Sequence, residues 1–464
     1  VSSDRLAPLD LAFWRLESAG HPMHLGALAF FSPADGPRAR TPSGEEIHAL
    51  LAARAAAVPR LRARVQDVLL PVGGAAWFRD PDFDVRRHVR RVPLPAAGFA
   101  ATVVALAGDL MGHPVERSRP PWEMHLFTGG PDGSFAVLVK FHHALADGMR
   151  AISLGAELLD AVADPGTDPA APGPARTRPC PPPGPSPGPQ PVALRLLGRA
   201  GDRARDTVRT VGVGAAVLRA GRIGTPGLAG LCAPPSGTRR LATAVLDLED
   251  VRRVRKAAGG TANDVLLAVV AGALRRWARE RGDPLPAAGP RALVPVARHR
   301  PGRTGRPGGP DGSGNSLSGY LLELPVAESD PRARLAAVRA AMDRNRAAGP
   351  LRGAGAVALL ADRLPPFAHL LGTPLAGGAA RMLFDLLVTT VPLPRATLTL
   401  GGCPLGALHP LAPLARGQAL AVGMALYDGQ VHAGLVADGE AVPDAGRIAW
   451  SLGEELMELL DLTL

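Results

Sequence analysis

The stretch Phe135-Ala136-Val137-Leu138-Val139-Lys140-Phe141-His142-His143-Ala144-Leu145-Ala146-Asp147-Gly148 decides how the rest of the chain is read. It follows a Pro131-Asp132-Gly133 turn, and its first seven residues are bulky and β-prone, which predicts a largely buried strand over 135–141. His142 and His143 fall where that strand ends. Beyond them Ile152, Ala156, Leu159 and Val162 recur at helical spacing, so Asp147 and Gly148 are expected at a strand-to-helix junction facing a cleft.

A neutral imidazole can take a proton near pH 7 without a metal, provided its other ring nitrogen is held in one tautomer by a partner. The strand end supplies rigidity, and Asp147 is spaced either to orient His143 or to hold the loop through an arginine elsewhere; the spacing does not choose. Neither serine nor cysteine stands beside the histidines, so the substrate is expected to supply the attacking group. Two histidines at a strand end also serve as plain structural residues, and the spacing alone does not separate the two roles. A metal site is not expected: an extended His142-His143 pair points to opposite faces, and no nearby Cys or carboxylate completes a zinc set.

With 464 residues, 46% of them hydrophobic, the chain can form two domains with their own cores. Its formal charge of +10 rests almost wholly on arginine, with lysine only at Lys140 and Lys256. Together with abundant Ala, Gly and Pro this reflects a GC-rich coding sequence rather than a nucleic-acid-binding surface, since no basic cluster is interleaved with aromatics. An anionic cosubstrate or an anionic membrane surface remains compatible with the charge. Cys180, Cys232 and Cys403 are too few and too widely spaced for a disulfide framework or a metal knuckle. No signal segment opens the sequence and no uncharged stretch reaches membrane-spanning length, so a cytoplasmic location is expected.

The Pro-rich run from Asp164 to Pro191 cannot hold helix or sheet and reads as a semi-rigid linker. It divides the chain into a lobe over 1–162 carrying the histidines, a linking region over 163–237, and a second lobe over 238–464. Within the linking region, Leu194, Leu197, Val208, Val211, Ala215 and Leu218 alternate with seven arginines from Arg195 to Arg222, the pattern of a basic amphipathic helix. Such a helix can lie on a membrane surface or pack on the domain with a solvated arginine face. In the second lobe, 239–246, 292–296 and 386–391 read as strands, and Tyr427-Asp428-Gly429-Gln430 between two apolar runs reads as a hairpin. Asn263 or Asp264 is expected to cap a helix beginning near Val265, and a final amphipathic helix is expected over 443–460. The fold class is therefore mixed α/β.

Several motifs fall in an order that resembles the bacterial wax ester synthase/acyl-CoA:diacylglycerol acyltransferase family. They begin with Pro8-Leu9-Asp10, Phe13, Glu17 and His21-Pro22-Met23-His24-Leu25-Gly26. Arg119-Pro120-Pro121-Trp122-Glu123 is similar to the family's PLW motif, His142 to Gly148 to its HHxxxDG signature, and Asn263-Asp264 to its ND motif. Gly314-Asn315 ahead of Leu324-Pro325, and Val436-Ala437-Asp438 with Val442-Pro443-Asp444, carry the likeness almost to the C-terminus. The resemblance implies two chloramphenicol acetyltransferase-like lobes, mixed sheets flanked by helices, with a tunnel between them. His143 would be the general base that deprotonates an acceptor hydroxyl, with His142 supporting it and Asp147 completing the motif in a structural part. Gly148 would admit the backbone close to the acyl chain, and Asn263 and Asp264 would shape or polarise the site. Pro121, Trp122 and Thr390 are carried over as substrate-contacting positions. Acyl-CoA would be a cosubstrate rather than a resident cofactor. The acceptor would be diacylglycerol or a long-chain alcohol, met at a membrane or lipid-droplet surface.

One run departs from the family. Thr389-Thr390-Val391-Pro392-Leu393-Pro394 stands where Ser-Asn-Val-Pro-Gly-Pro is usual, and Phe384-Asp385 replaces Phe-Asn. Thr390 offers a hydroxyl in place of an amide, and Leu393 lacks the freedom of glycine. The departure leaves two alternatives open beside the acyl-CoA-dependent O-acyltransferase: a superfamily acyltransferase with another donor or acceptor, and a non-enzymatic lipid-binding or droplet protein.

Overall fold

Strand pairing divides the chain into two lobes that share strands. The computed structural model describes residues 4–18, 20–33, 41–146, 148–162, 227–297, 317–348, 383–394 and 396–462. The first lobe runs β1 (Asp4–Arg5), α1 (Pro8–Leu16), β2 (His24–Phe31), α2 (Gly44–Ala57), β3 (Ala63–Asp67), β4 (Ala75–Arg79), β5 (Val89–Pro93), α3 (Phe99–Gly112), β6 (Trp122–Thr128), β7 (Phe135–His142), α4 (Gly148–Leu158) and β8 (Asp160–Val162). The second runs β9 (Arg239–Asp247), α5 (Leu248–Ala258), α6 (Ala262–Glu280), β10 (Arg291–Ala297), β11 (Leu317–Glu323), α7 (Pro331–Ala348), β12 (Leu386–Pro392), β13 (Thr397–Leu400), β14 (Cys403–Leu411), β15 (Leu420–Tyr427), β16 (Gln430–Asp438) and α8 (Ala445–Asp461).

The strand expected from the histidine stretch is β7, buried along almost its whole length, with His142 as its last residue. A strand covered on both faces reads as a continuous apolar run, which is why 135–141 shows no alternation. It lies inside a seven-stranded mixed sheet of order β5-β6-β7-β2-β14-β13-β8. The second sheet, β11-β10-β12-β15-β16-β9, is also mixed, with β10, β12 and β15 parallel and its other pairs antiparallel. A small sheet, β1-β4-β3, flanks the first lobe.

The sheets do not respect the division expected near residue 238. β14 pairs with β2 and β13 with β8, so the first lobe's sheet is completed from the C-terminal part of the chain. The lobes meet where β14 crosses β15 and β16. A Cβ on Gly423 would sit 2.6 Å from the Pro410 carbonyl oxygen and one on Gly434 would sit 2.4 Å from it, so only glycine lets these backbones approach. Around the crossing, Leu28, Phe99, Val103, Met111, Leu411 and Val436 form an apolar core between the lobes, distinct from the core of each lobe.

Three local expectations are corrected. The helix after the histidines ends at Leu158, and Val162 belongs to β8, where it pairs with Thr397. The helix capped near Asn263 begins earlier: Thr261 is its N-cap, and Asp264 is the third residue of a reciprocal capping box, returning a bond to the Thr261 N–H. The final helix is shifted to Ala445–Asp461. The hairpin at Tyr427-Asp428-Gly429-Gln430 forms as expected, with Asp428 at φ 46° and Gly429 at φ 71°, the left-handed pair of a type I′ turn. Asp147, the Pro-rich run, the 192–222 segment, and Gly314-Asn315 lie outside the described residues. Among the described residues no single helix is long and apolar enough to cross a membrane. α5 and α6 together reach the required composition, but they are bent by 102° and α6 is the buried centre of the second lobe.

Candidate active site

The two adjacent histidines have different surroundings. His142 ends β7 opposite His24 of β2, and its backbone N–H donates to the Pro121 carbonyl at 2.9 Å. Its ring is fully buried, edge-on to Trp14 at 4.9 Å between centroids. The Ala144 N–H donates to His142 Nδ1 at 3.0 Å, which makes Nδ1 the acceptor and leaves the proton of the neutral ring on Nε2. That Nε2 lies 3.6 Å from Glu17 Oε2. Burial first, then the neighbouring His143, Arg117 and His24, hold the His142 pKa well below the usual imidazole range, so the ring is neutral at ordinary pH.

His143 leaves the strand in the turn that follows, held by its N–H donating to the Met23 carbonyl at 2.8 Å. Its ring is half-buried and stacks on Phe13 of α1 at 3.9 Å between centroids and 25° between planes. Of the two imidazoles, His143 is the less buried; His142 is a buried strut. Glu17, just after α1, ties the floor together. Its Oε1 accepts from the Met23 N–H at 3.1 Å, and Oε2 faces His142 and, at 3.9 Å, Arg117 Nε. Burial raises the Glu17 pKa against the opposing pull of the Met23 N–H, Arg117 and Lys140.

The floor continues under β2 and β7. Lys140, fully buried, donates from Nζ to the Leu110 and His113 carbonyls at 2.7 and 2.9 Å, satisfying the C-terminal end of α3. His24 Nε2 bonds the Met111 carbonyl at 2.9 Å. A lysine and a histidine projecting from neighbouring strands thus hold one helix end. Sequence reasoning took Lys140 for part of an apolar strand and gave no role to His24, Phe13 or Glu17. The available signal was their place in the 8–26 motif block.

The Pro121-Trp122 motif lies in the support beneath the histidines. The Trp122 ring is 1% exposed, stacks on His88 at 4.5 Å and donates from Nε1 to the Leu61 carbonyl at 2.7 Å. Pro121 contributes the carbonyl that fixes His142. Gly148 opens α4 beyond the turn.

In the second lobe the paired motif residues also separate by role. Asp264 is fully buried; one oxygen accepts from the Thr261 N–H at 2.8 Å and the other from Arg346 at 2.6 Å, so it fastens α6 to α7. Asn263 instead faces β12, where the Thr390 hydroxyl donates to its Oδ1 at 2.9 Å. The substituted Thr390 is thus engaged with the ND motif. Leu393 is not among the residues with positive φ, and its N–H donates to the Leu426 carbonyl at 3.2 Å, so its backbone does without glycine's freedom. Asp385 likewise has a partner, accepting from the Arg291 N–H at 2.7 Å. A cavity of about 1040 Å³ opens between α3, the start of β9 and the turn into α8, with Val104, Arg239, Arg240, His409 and Pro443 on its walls; His143 is not among them. No three His, Cys, Asp or Glu side chains among the described residues converge as a metal set.

Two strand-sharing mixed sheets, with a half-buried histidine just past the end of an interior strand, place the chain in the chloramphenicol acetyltransferase-like class of two-lobed folds. Residues 6–266 match the wax ester synthase/diacylglycerol acyltransferase catalytic domain, and 313–460 the C-terminal domain of the same family. The chain belongs to the wax ester synthase/diacylglycerol acyltransferase family. It is 32% identical over 465 residues to the probable diacylglycerol O-acyltransferase tgs2 of Mycobacterium tuberculosis, covering 98% of each chain. A solved wax ester synthase/diacylglycerol acyltransferase from Marinobacter aquaeolei VT8 superimposes with a TM-score of 0.70 at 24% identity, over 99% of both chains. The first condensation domain of the CDA synthetase shares the fold at a TM-score of 0.56 and 16% identity, over 98% of this chain and 96% of that one. The catalytic-domain match runs past the first lobe into β9, α5 and the start of α6.

Proposed function

We propose that the protein is an acyl-CoA-dependent O-acyltransferase that esterifies diacylglycerol, a long-chain alcohol or both, with His143 as general base. The observation that carries the reading is the contrast at the strand end: a half-buried His143 ring stacked on Phe13, beside a fully buried His142. His143 takes the proton from the acceptor hydroxyl, and the alkoxide attacks the thioester carbonyl of acyl-CoA. The carbon–sulfur bond breaks, an ester forms, and the proton on His143 passes to the departing thiolate. Nothing is left on the enzyme, in keeping with the lack of serine or cysteine beside the histidines. Acyl-CoA is then a cosubstrate, and no resident cofactor takes part. The family membership and the names of the relatives support the substrate class.

Asn263 and Thr390 form the second-lobe pair that we assign to shaping the site. Asp264 is assigned to holding α6, and Asp147 keeps the motif's structural part. The protein is expected to work from the cytoplasmic side, attached peripherally to a membrane or lipid droplet, because its acceptors do not dissolve in water.

The test is thiol release from palmitoyl-CoA with diacylglycerol, with hexadecanol and with neither, comparing wild type with His143→Ala. Acceptor-dependent release that the variant loses supports the reading. A folded His143→Ala protein with full activity overturns it, and a folded wild type that releases no thiol favours a lipid-binding role.

A further inference from the structure

The turn joining β3 to β4 is Val68-Leu69-Leu70-Pro71-Val72-Gly73-Gly74, seven residues without a charged or hydrogen-bonding side chain. Leu69 is 94% exposed, Leu70 75% and Val72 60%, so three of the large apolar side chains most open to solvent sit within four residues. Scattered exposed apolar residues need no explanation, but a cluster at the tip of a hairpin does. Its backbone is partly satisfied from within: the Val68 N–H donates to the Gly74 carbonyl at 3.1 Å and the Gly74 N–H to the Pro71 carbonyl at 2.8 Å. Proline brings no N–H of its own. Such a tip presents carbon outward and keeps part of its polar backbone occupied, as an apolar medium requires.

The base of the hairpin is fixed and charged. Arg15 of α1 donates to the Gly73 carbonyl at 3.2 Å and pairs with Asp67 at 2.8 Å, and the Leu6 N–H donates to the Ala75 carbonyl at 2.9 Å. Arg117 lies over the Trp14 ring of the same helix at 4.1 Å, and the exposed Arg5 pairs in β1 with Ala76. Acidic groups are interleaved with these arginines: Asp67 pairs with Arg15, Glu17 lies 3.9 Å from Arg117, and the exposed Asp4 stands beside Arg5. An apolar tip above a ring of charged side chains suits a surface that is polar outside and hydrocarbon within, and the chain's formal charge of +10 favours one that is anionic.

We propose that the 68–74 tip seats the protein on a phospholipid surface, Leu69, Leu70 and Val72 entering the acyl region while Arg5, Arg15 and Arg117 meet the headgroups. The seat is coupled to the catalytic lobe through α1, which carries Arg15 at the hairpin and, two residues earlier, Phe13 against His143. A surface bound there turns that lobe toward the phase holding a water-insoluble acceptor; this purpose rests on the acyltransfer reading, whereas the docking itself does not.

The experiment is flotation of the full chain with phosphatidylcholine vesicles, with and without phosphatidylglycerol, for wild type, the triple variant Leu69→Ser/Leu70→Ser/Val72→Ser, and the control Trp450→Ser/Met457→Ser, which removes exposed apolar side chains from α8. The triple variant is expected to lose vesicle partitioning by about a hundred-fold or more, the control to keep it, and phosphatidylglycerol to strengthen wild-type binding. Thiol release with a water-soluble short-chain alcohol runs in parallel and separates the two readings. If it is absent while flotation depends on the tip, acyltransfer fails and docking stands. Wild type that does not float, or a triple variant that floats equally well, overturns the proposal. So does sedimentation in lipid-free buffer showing that the tip residues hold two copies of the chain together.

Discussion

Glu17 Oε2 and His142 Nε2 face each other at 3.6 Å, both buried and neither with a hydrogen-bond partner. The Ala144 N–H has already claimed the other ring nitrogen, so the proton on Nε2 has Glu17 as its nearest acceptor. Removing that carboxyl takes away the acceptor of the Met23 N–H and the nearest acceptor to a buried donor beneath the His143 turn. Glu17→Ala is expected to cost roughly 1–3 kcal/mol of stability and to lower the thiol-release rate while leaving KM for acyl-CoA nearly unchanged. Glu17→Gln, which keeps an oxygen there, should recover most of the rate. Equal activity in all three proteins would show that the contact has no bearing on His143.

The Phe13 ring under His143 is the second point at which α1 reaches the site. Stacked rings of this kind contribute about 0.5–1.5 kcal/mol, so Phe13→Ala is expected to slow transfer by roughly three- to ten-fold. Phe13→Tyr should retain the stack and the rate. Steady-state kinetics on the three proteins decides.

Thr390 and Asn263 form a neutral hydrogen bond across α6 and β12. Thr390→Val should cost about 0.5–1.5 kcal/mol in a denaturant melt, and a double-mutant cycle with Asn263→Ala should show that the two effects overlap rather than add. Full additivity would mean that the bond carries no energy.

Far from the histidines, Arg334 and Glu455 pair in the second lobe, 2% and 4% exposed, where α7 meets α8. Glu455→Ala leaves a buried guanidinium without that partner and is expected to destabilise by roughly 3–5 kcal/mol, read as a lowered Tm. The refolded protein should keep its KM.

Acidification should destabilise the fold. Burial, with Lys140 beside it, pushes His24 down to about 3, and burial pushes His409 down to about 4. In the unfolded chain both titrate near ~6.5. Below that value the unfolded state binds protons that the folded state refuses, so stability is complete above ~6.5 and falls as pH drops toward the folded values. Each group removes up to about 1.4 kcal/mol per pH unit in that window. Glu17, raised by burial, acts with the opposite sign, its contribution being lost as pH rises through its folded value. Melts between pH 7.5 and 5 should show Tm falling on acidification, with a shallower fall for His409→Gln.

The sequence disclosed what depends on neighbours in the chain. The strand ending at His142 announced itself through continuous apolar character, and the Asp428-Gly429 turn through residues that tolerate positive φ. Contacts made across the fold left no local trace. Lys140 reads as one more member of an apolar strand because its partners, the carbonyls of Leu110 and His113, lie at the end of a helix some thirty residues earlier. The link between the Pro121-Trp122 motif and the histidines is equally invisible in the sequence: the Pro121 carbonyl fixes the His142 N–H. Thr261, Asn263 and Asp264 are all good cappers by residue type, and only the geometry ranks Thr261 first.

The insertion of β13 and β14 beside β2 has a consequence for how the protein is made. The sheet that ends at the histidine turn cannot close until residue 411 has left the ribosome. At ~5–20 residues per second the histidine turn waits on the order of ten seconds to a minute with one flank of β2 unpaired. An unpaired strand flank invites pairing with other chains. Nascent protein in this interval is therefore the species most exposed to aggregation. Separate expression of the N-terminal lobe would make that interval permanent.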